Sequence, residues 1–130
     1  MAAHPSYPNP LERAIEASRS LISVPQDWDD EGAPPCDESA WERGVAFLRS
    51  HAQAATRFGE SLPVPRILPG PDGSLDLHWR LGNFEILLNF PTDPRQPASF
   101  YGDDRGKSSI RGTILDSSGE ATLLPWLLKP

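Results

Sequence analysis

At Val64 the spacing of apolar residues changes period, and this change constrains the fold more than any other feature of the chain. Upstream, apolar residues recur every three or four positions. Leu11, Ala14, Ile15, Ser18, Leu21 and Ile22 form one stripe; Trp41, Val45, Leu48 and Ala52 form another, widened by Phe47 and Ala55. Both read as amphipathic helices. Downstream, "SLDLHWR" alternates Leu75, Leu77 and Trp79 with Asp76, His78 and Arg80, and "NFEILLNF" alternates Phe84, Ile86, Leu88 and Phe90 with Asn83, Glu85 and Asn89. Period two is the signature of half-buried antiparallel strands.

The punctuation agrees. Asn9 suits an N-cap with Pro10 in the first helical position, and Pro25 stops a helix expected to end near Ser23. Asp37 or Cys36 caps the second helix, Glu38 complements its dipole, and Gly59 follows its end; Glu42, Arg43 and Arg49 point to solvent. Asp72-Gly73 in "PGPDG" takes positive φ readily and predicts a hairpin, with a second turn at Leu81-Gly82. "PTDPRQP" reads as a loop, and "ASFYG" and "SIRGTIL" as further strands about the polar tip "DDRGK". In "ATLLPWLLKP", Thr122 caps a short helix that docks Leu123, Trp126 and Leu127. The expected fold is α+β: two N-terminal helices packed on one face of a four- to five-stranded antiparallel meander, with a short C-terminal helix. Residues 1–8 are expected to form a flexible arm, and 9–130 a single domain.

A chain of 130 residues supports one core, burying roughly two-thirds of its unfolded surface. Its net charge of −6 argues against nucleic acid or an anionic membrane as partner, since both reward clustered Lys and Arg. The single cysteine, Cys36, rules out an intramolecular disulfide and points to a reducing cytoplasm. No stretch approaches the ~18 apolar residues needed to span a bilayer, and the N-terminus lacks the pattern of a signal peptide.

The densest cluster of acids is "DWDDEGAPP", residues 27–35. Counting Asp27 as the first position, Asp29, Glu31, Gly32 and Glu38 fall at positions three, five, six and twelve of an EF-hand loop. Glu31 in place of Asp or Asn, prolines at positions eight and nine, and the lack of a second loop count against calcium. The alternative is architectural: Trp28 anchors the connector, Gly32 bends it, and Pro34-Pro35 stiffen the approach to helix two. A glycosidase-like acid pair would need a second element across a cleft, which the sequence does not offer.

His4, His51 and His78 are isolated, and no two have metal-ligand spacing. Cys36 lacks a partner histidine signature. "GDDRGK" lacks the spacing of a P-loop. The combination of "DWDDEGAPP", the helix "ESAWERGVAFL", "PDGSLDLHW" and "NFEILLNF" resembles small uncharacterised bacterial proteins with a Trp-Asp-Gly-Glu-Gly-Ala-Pro-like segment. The similarity covers about residues 20 to 90, and Asp30 replaces an expected glycine. The resemblance implies a bacterial, cytoplasmic, non-enzymatic protein and assigns no site.

The expected function is therefore that of a small acidic interaction protein, of the antitoxin, immunity or accessory-subunit kind, without a cofactor. It would bind a protein partner, basic in character, through Asp76, His78, Arg80, Glu85 and Asn89. The alternative is a calcium- or metal-responsive module using Asp27, Asp29, Glu31 and Glu38, and the third reading is a hydrolase. A homodimer through "SIRGTIL" or the apolar tail is also compatible with the pattern.

Overall fold

The computed structural model describes residues 9–23, 34–82, 84–104, 109–114 and 127–128. The element order is α1 (Pro10–Ser18), a 3-10 turn (Arg19–Ile22), α2 (Glu38–Arg57), then β1 (Arg66–Pro69), β2 (Leu75–Leu81), β3 (Phe84–Phe90), β4 (Ala98–Asp103) and β5 (Ser109–Ile114). The strands form one antiparallel sheet in the order β1-β2-β3-β4-β5. The α+β class is as expected. Of the expected C-terminal helix only Leu127 and Leu128 are described, and Leu127 is buried in the core.

Both caps form as the sequence indicates. Asn9 Oδ1 accepts the Glu12 amide at 2.8 Å, and Asp37 Oδ2 accepts the Ala40 amide at 3.0 Å. The first helix does not run to Ser23 as an α-helix; it tightens to 3-10 after Ser18. Serine hydroxyls draw on its last carbonyls, Ser18 Oγ donating to Ile15 O (2.6 Å) and Ser20 Oγ to Ala17 O (3.1 Å). Ser18 Oγ also accepts Trp41 Nε1 at 2.9 Å, tying the turn to α2. Across the same helix pair, Arg49 grips Glu12 through two bonds of 3.1 and 2.9 Å. Arg43 is not free in solvent: it is half-buried and donates to Pro91 O.

Asp72 and Gly73 both have positive φ (56° and 82°), so the β1–β2 turn has the backbone its Asp-Gly pair favours. The described end of the connector, residues 34–37, docks on this turn. Asp37 N donates to Gly73 O (2.8 Å) and Cys36 N to Leu21 O (3.0 Å), so Pro34–Asp37 lies between the first helix and the first hairpin. Trp28, Asp27, Asp29 and Glu31 lie outside the described residues.

One sheet face is covered. Leu11 and Ile15 of α1 and Ala40, Trp41, Val45, Phe47, Leu48 and Ala55 of α2 join Leu75, Leu77, Trp79, Phe84, Ile86, Leu88 and Phe90 in one cluster. Phe47 is central, its ring 5.9 Å from Phe90 and 6.4 Å from Trp79. Helix and sheet pack tightly at Gly44, where an added Cβ would lie 2.4 Å from Leu75 Cδ2. An exposed mid-helix glycine replaced by alanine gains about 1 kcal/mol. Here Leu75 is fully buried, so overpacking of about 1–3 kcal/mol outweighs that gain. Gly44→Ala is thus expected to lower the urea midpoint at unchanged slope; a raised midpoint would show that Leu75 has room to move.

Candidate protein-docking face

The register fixes what the other sheet face presents, because paired residues in an antiparallel ladder share a face. One row crosses all five strands: Arg66, His78, Leu87, Tyr101 and Arg111. A second holds Leu68, Asp76, Asn89, Ser99 and Thr113, and a third Arg80, Glu85, Asp103 and Ser109. All five residues singled out in the sequence, Asp76, His78, Arg80, Glu85 and Asn89, lie on this one face.

Four of them fall into two hydrogen-bonded groups. Asn89 Nδ2 donates to Asp76 Oδ1 (2.8 Å) and to Ser74 Oγ (2.9 Å), and Ser74 Oγ donates to Pro71 O (2.6 Å). Gly70 closes over this group; a Cβ there would lie 2.4 Å from Ser74 Oγ and 2.9 Å from Asp76 Oδ1. The second group is the diagonal pair His78 and Glu85, with Nε2 2.6 Å from Oε2. A carboxylate only accepts, so Nε2 carries the hydrogen. Arg80 is exposed and stands opposite Glu85.

The centre of the face is apolar. Leu87 and Tyr101 are each 40% exposed, side by side in the first row, and Arg111 lies over the Tyr101 ring, 5.7 Å from its centroid. Neither Leu87 nor Tyr101 stood out in the sequence. The signal was present: Leu87 is an apolar residue in the outward phase of "NFEILLNF", between Glu85 and Asn89. Charge on the face is balanced, with Arg66, Arg80 and Arg111 set against Asp76, Glu85 and Asp103. The surplus of acid lies elsewhere: residues 27–38 hold six carboxylates and no Lys or Arg, whereas the four glutamates of α1 and α2 are matched by four arginines.

The other expected sites look different in three dimensions. Cys36 is buried, and burial, followed by the neighbouring Asp37 charge, pushes its thiol up to about 11, far from a reactive thiolate. His51 is fully buried, stacked on Phe47 at 3.8 Å, with Nδ1 3.1 Å from Phe47 O. That carbonyl accepts, so Nδ1 carries the hydrogen and Nε2 is a buried acceptor without a donor among the described residues. The burial of His51 was legible from its i−3 and i+4 neighbours Leu48 and Ala55. Glu38 is exposed at the start of α2, while the other three residues of the proposed calcium set are outside the described residues. Among the described residues, no group of three or more His, Cys, Asp or Glu could hold a metal ion, and no helix is long and apolar enough to cross a membrane.

A cleft of about 220 Å³ lies between the start of α1, the end of α2 and the strand approach at Glu60–Val64, below the roughly 300–1,000 Å³ of small-molecule pockets. Among the described residues, the hydrogen bonds of His78 run to Glu85 alone, so no hydroxyl or thiol completes a nucleophilic relay there. The strongest feature is thus the open sheet face, with an apolar centre and a polar, hydrogen-bonded rim. Comparison with known proteins adds no relative: no family model matches the chain, and neither does any curated protein or solved structure.

Proposed function

We propose that this chain is a small non-enzymatic interaction protein, of the antitoxin, immunity or accessory-subunit kind, that binds a protein partner through the open face of its sheet. The observation that carries the proposal is the adjacent exposure of Leu87 and Tyr101 at the centre of a face whose rim is polar. Interfaces of this anatomy draw affinity from a few central apolar and aromatic anchors and specificity from the surrounding polar groups. Asp76, His78, Arg80, Glu85 and Asn89 supply that rim. The pairing of Asp76 with Asn89 and of His78 with Glu85 holds four of these side chains in fixed positions before the partner arrives.

The balance of charge on the face refines the partner's character. A basic partner was expected from the net charge of −6, yet three arginines and three carboxylates share this surface. The partner in this proposal matches an apolar strip flanked by both signs, and the chain's net charge of −6 contributes to long-range attraction of a basic protein. A bacterial, cytoplasmic setting belongs to the same proposal, on the resemblance of residues 20 to 90 to small bacterial proteins. So does a short helix ending the chain, which the buried Leu127 supports.

The test is affinity capture from the native host with the wild-type chain and with Leu87→Glu/Tyr101→Glu. The wild type is expected to retain a specific protein that the double variant loses by tenfold or more, with both folded by circular dichroism. Equal recovery by the two, or no specific protein with either, would remove the open face as the binding site.

A further inference from the structure

The sheet is open, and its two edges are built differently. β1 is four residues long, ends in Pro69 and follows Pro63 and Pro65; proline cannot donate to an incoming strand. β5 is six residues long, contains no proline and carries one charge, Arg111. Among the described residues no strand lies beyond it. Among the described residues, one edge is guarded against strand addition and the other is not.

We propose that β5 pairs antiparallel with β5 of a second copy of this chain, about a two-fold axis at Gly112, joining the two sheets into one. The sequence of the strand is complementary to itself in this register. Ile110 stands opposite the partner's Ile114 and Arg111 opposite the partner's Thr113, each twice over. Within one copy Ile114 is buried and Ile110 partly so, both on the helix-bearing side of the sheet, so the isoleucines extend that side across the axis. Gly112 presents no side chain at the axis, and the space its Cβ would take is filled by its own Phe100, whose Cζ would be 3.0 Å away. Moving the axis one residue to Arg111 would instead set two guanidinium groups opposite each other, which disfavours that register. The pairing also brings Tyr101 and Arg111 of both copies onto one continuous open face.

Thr113 is the residue to change, because it is exposed and within its own sheet faces only Ser99. Sedimentation equilibrium of the full chain, at up to about 1 mM, is expected to show a monomer–dimer equilibrium. Thr113→Glu sets a carboxylate opposite the partner's Arg111 at two symmetric places and is expected to tighten the dimer about fivefold; Thr113→Lys is expected to weaken it about as much. Adding Arg111→Glu to Thr113→Lys restores the opposite charges and the dimer. A monomer for both the wild type and Thr113→Glu would overturn the proposal. So would a dimer whose dissociation constant does not move in opposite directions for glutamate and lysine.

Discussion

Leu88→Asp is expected to abolish cooperative folding, whereas Leu87→Asp, one residue away, is expected to leave stability within about 1 kcal/mol of the wild type. The two positions are adjacent in β3 and point to opposite faces. Leu88 is fully buried between Leu77 and Phe100 on its two neighbouring strands, on the face carrying Phe47 and Trp79. Its described neighbours in that cluster are apolar, so a carboxylate there would lose its hydration without a counter-charge from them. Removing the leucine costs about 2–5 kcal/mol, and stranding a polar or charged group in the core adds several more. The sum rivals the whole stability of a small domain, about 5–15 kcal/mol. Leu87, by contrast, is 40% exposed beside His78 and Tyr101, where an aspartate remains hydrated. Urea unfolding followed by tryptophan fluorescence checks both. A one-residue error in register would exchange the two outcomes.

Mild acid is expected to destabilise the fold through His51. Burial lowers this imidazole to about 4 from an ordinary 6.5, opposed in part by its hydrogen bond to Phe47 O. A proton is therefore taken up first by the unfolded chain. The stability associated with a neutral His51 is fully present above pH 6.5 and is lost as pH falls, at about 1.4 kcal/mol per unit, until the folded form also protonates near pH 4. The total loss is about 3 kcal/mol. His51→Leu removes the titration and the orphaned Nε2 acceptor together. Its stability is expected to be nearly flat from pH 6.5 to 4.5, with only a small change from wild type at neutral pH. Parallel pH profiles for the two proteins would show that His51 does not carry the acid sensitivity. The exposed Glu12–Arg49 pair acts in a lower range, since its arginine holds Glu12 below the usual carboxylate value. Its surface position limits it to about 0–1 kcal/mol.

Much of the frame could be read from residue spacing, because its elements are set by local chemistry. Asn9 and Asp37 cap the helices as their positions imply, Asp72-Gly73 makes the first hairpin turn, and the alternation in "SLDLHWR" and "NFEILLNF" puts Leu75, Leu77, Trp79, Phe84, Ile86, Leu88 and Phe90 on the covered face and Asp76, His78, Arg80, Glu85 and Asn89 on the open one, as observed. What escaped was set by contacts distant in sequence. The first helix tightens to 3-10 after Ser18, whose hydroxyl accepts from Trp41, 23 residues on. Arg43 reads as a solvent residue from its helical phase but reaches the carbonyl of Pro91, beyond β3. The candidate site was half legible: its polar rim follows from parity along two strands. Its apolar centre needs Leu87 and Tyr101 to be neighbours, which only the pairing of β3 with β4 supplies. Likewise, the balance of charge on the face is invisible in a net charge of −6, which sums over every surface at once.

The central claim is that the open face, and not the helical face, meets a protein partner. It is tested most directly by photo-crosslinking from single positions in the native host. A photoactivatable residue at position 87 or 101 is expected to yield the same discrete adduct, while one at Glu42 or Arg57, on α2, yields none. An adduct formed from α2 but not from positions 87 and 101 would contradict the account.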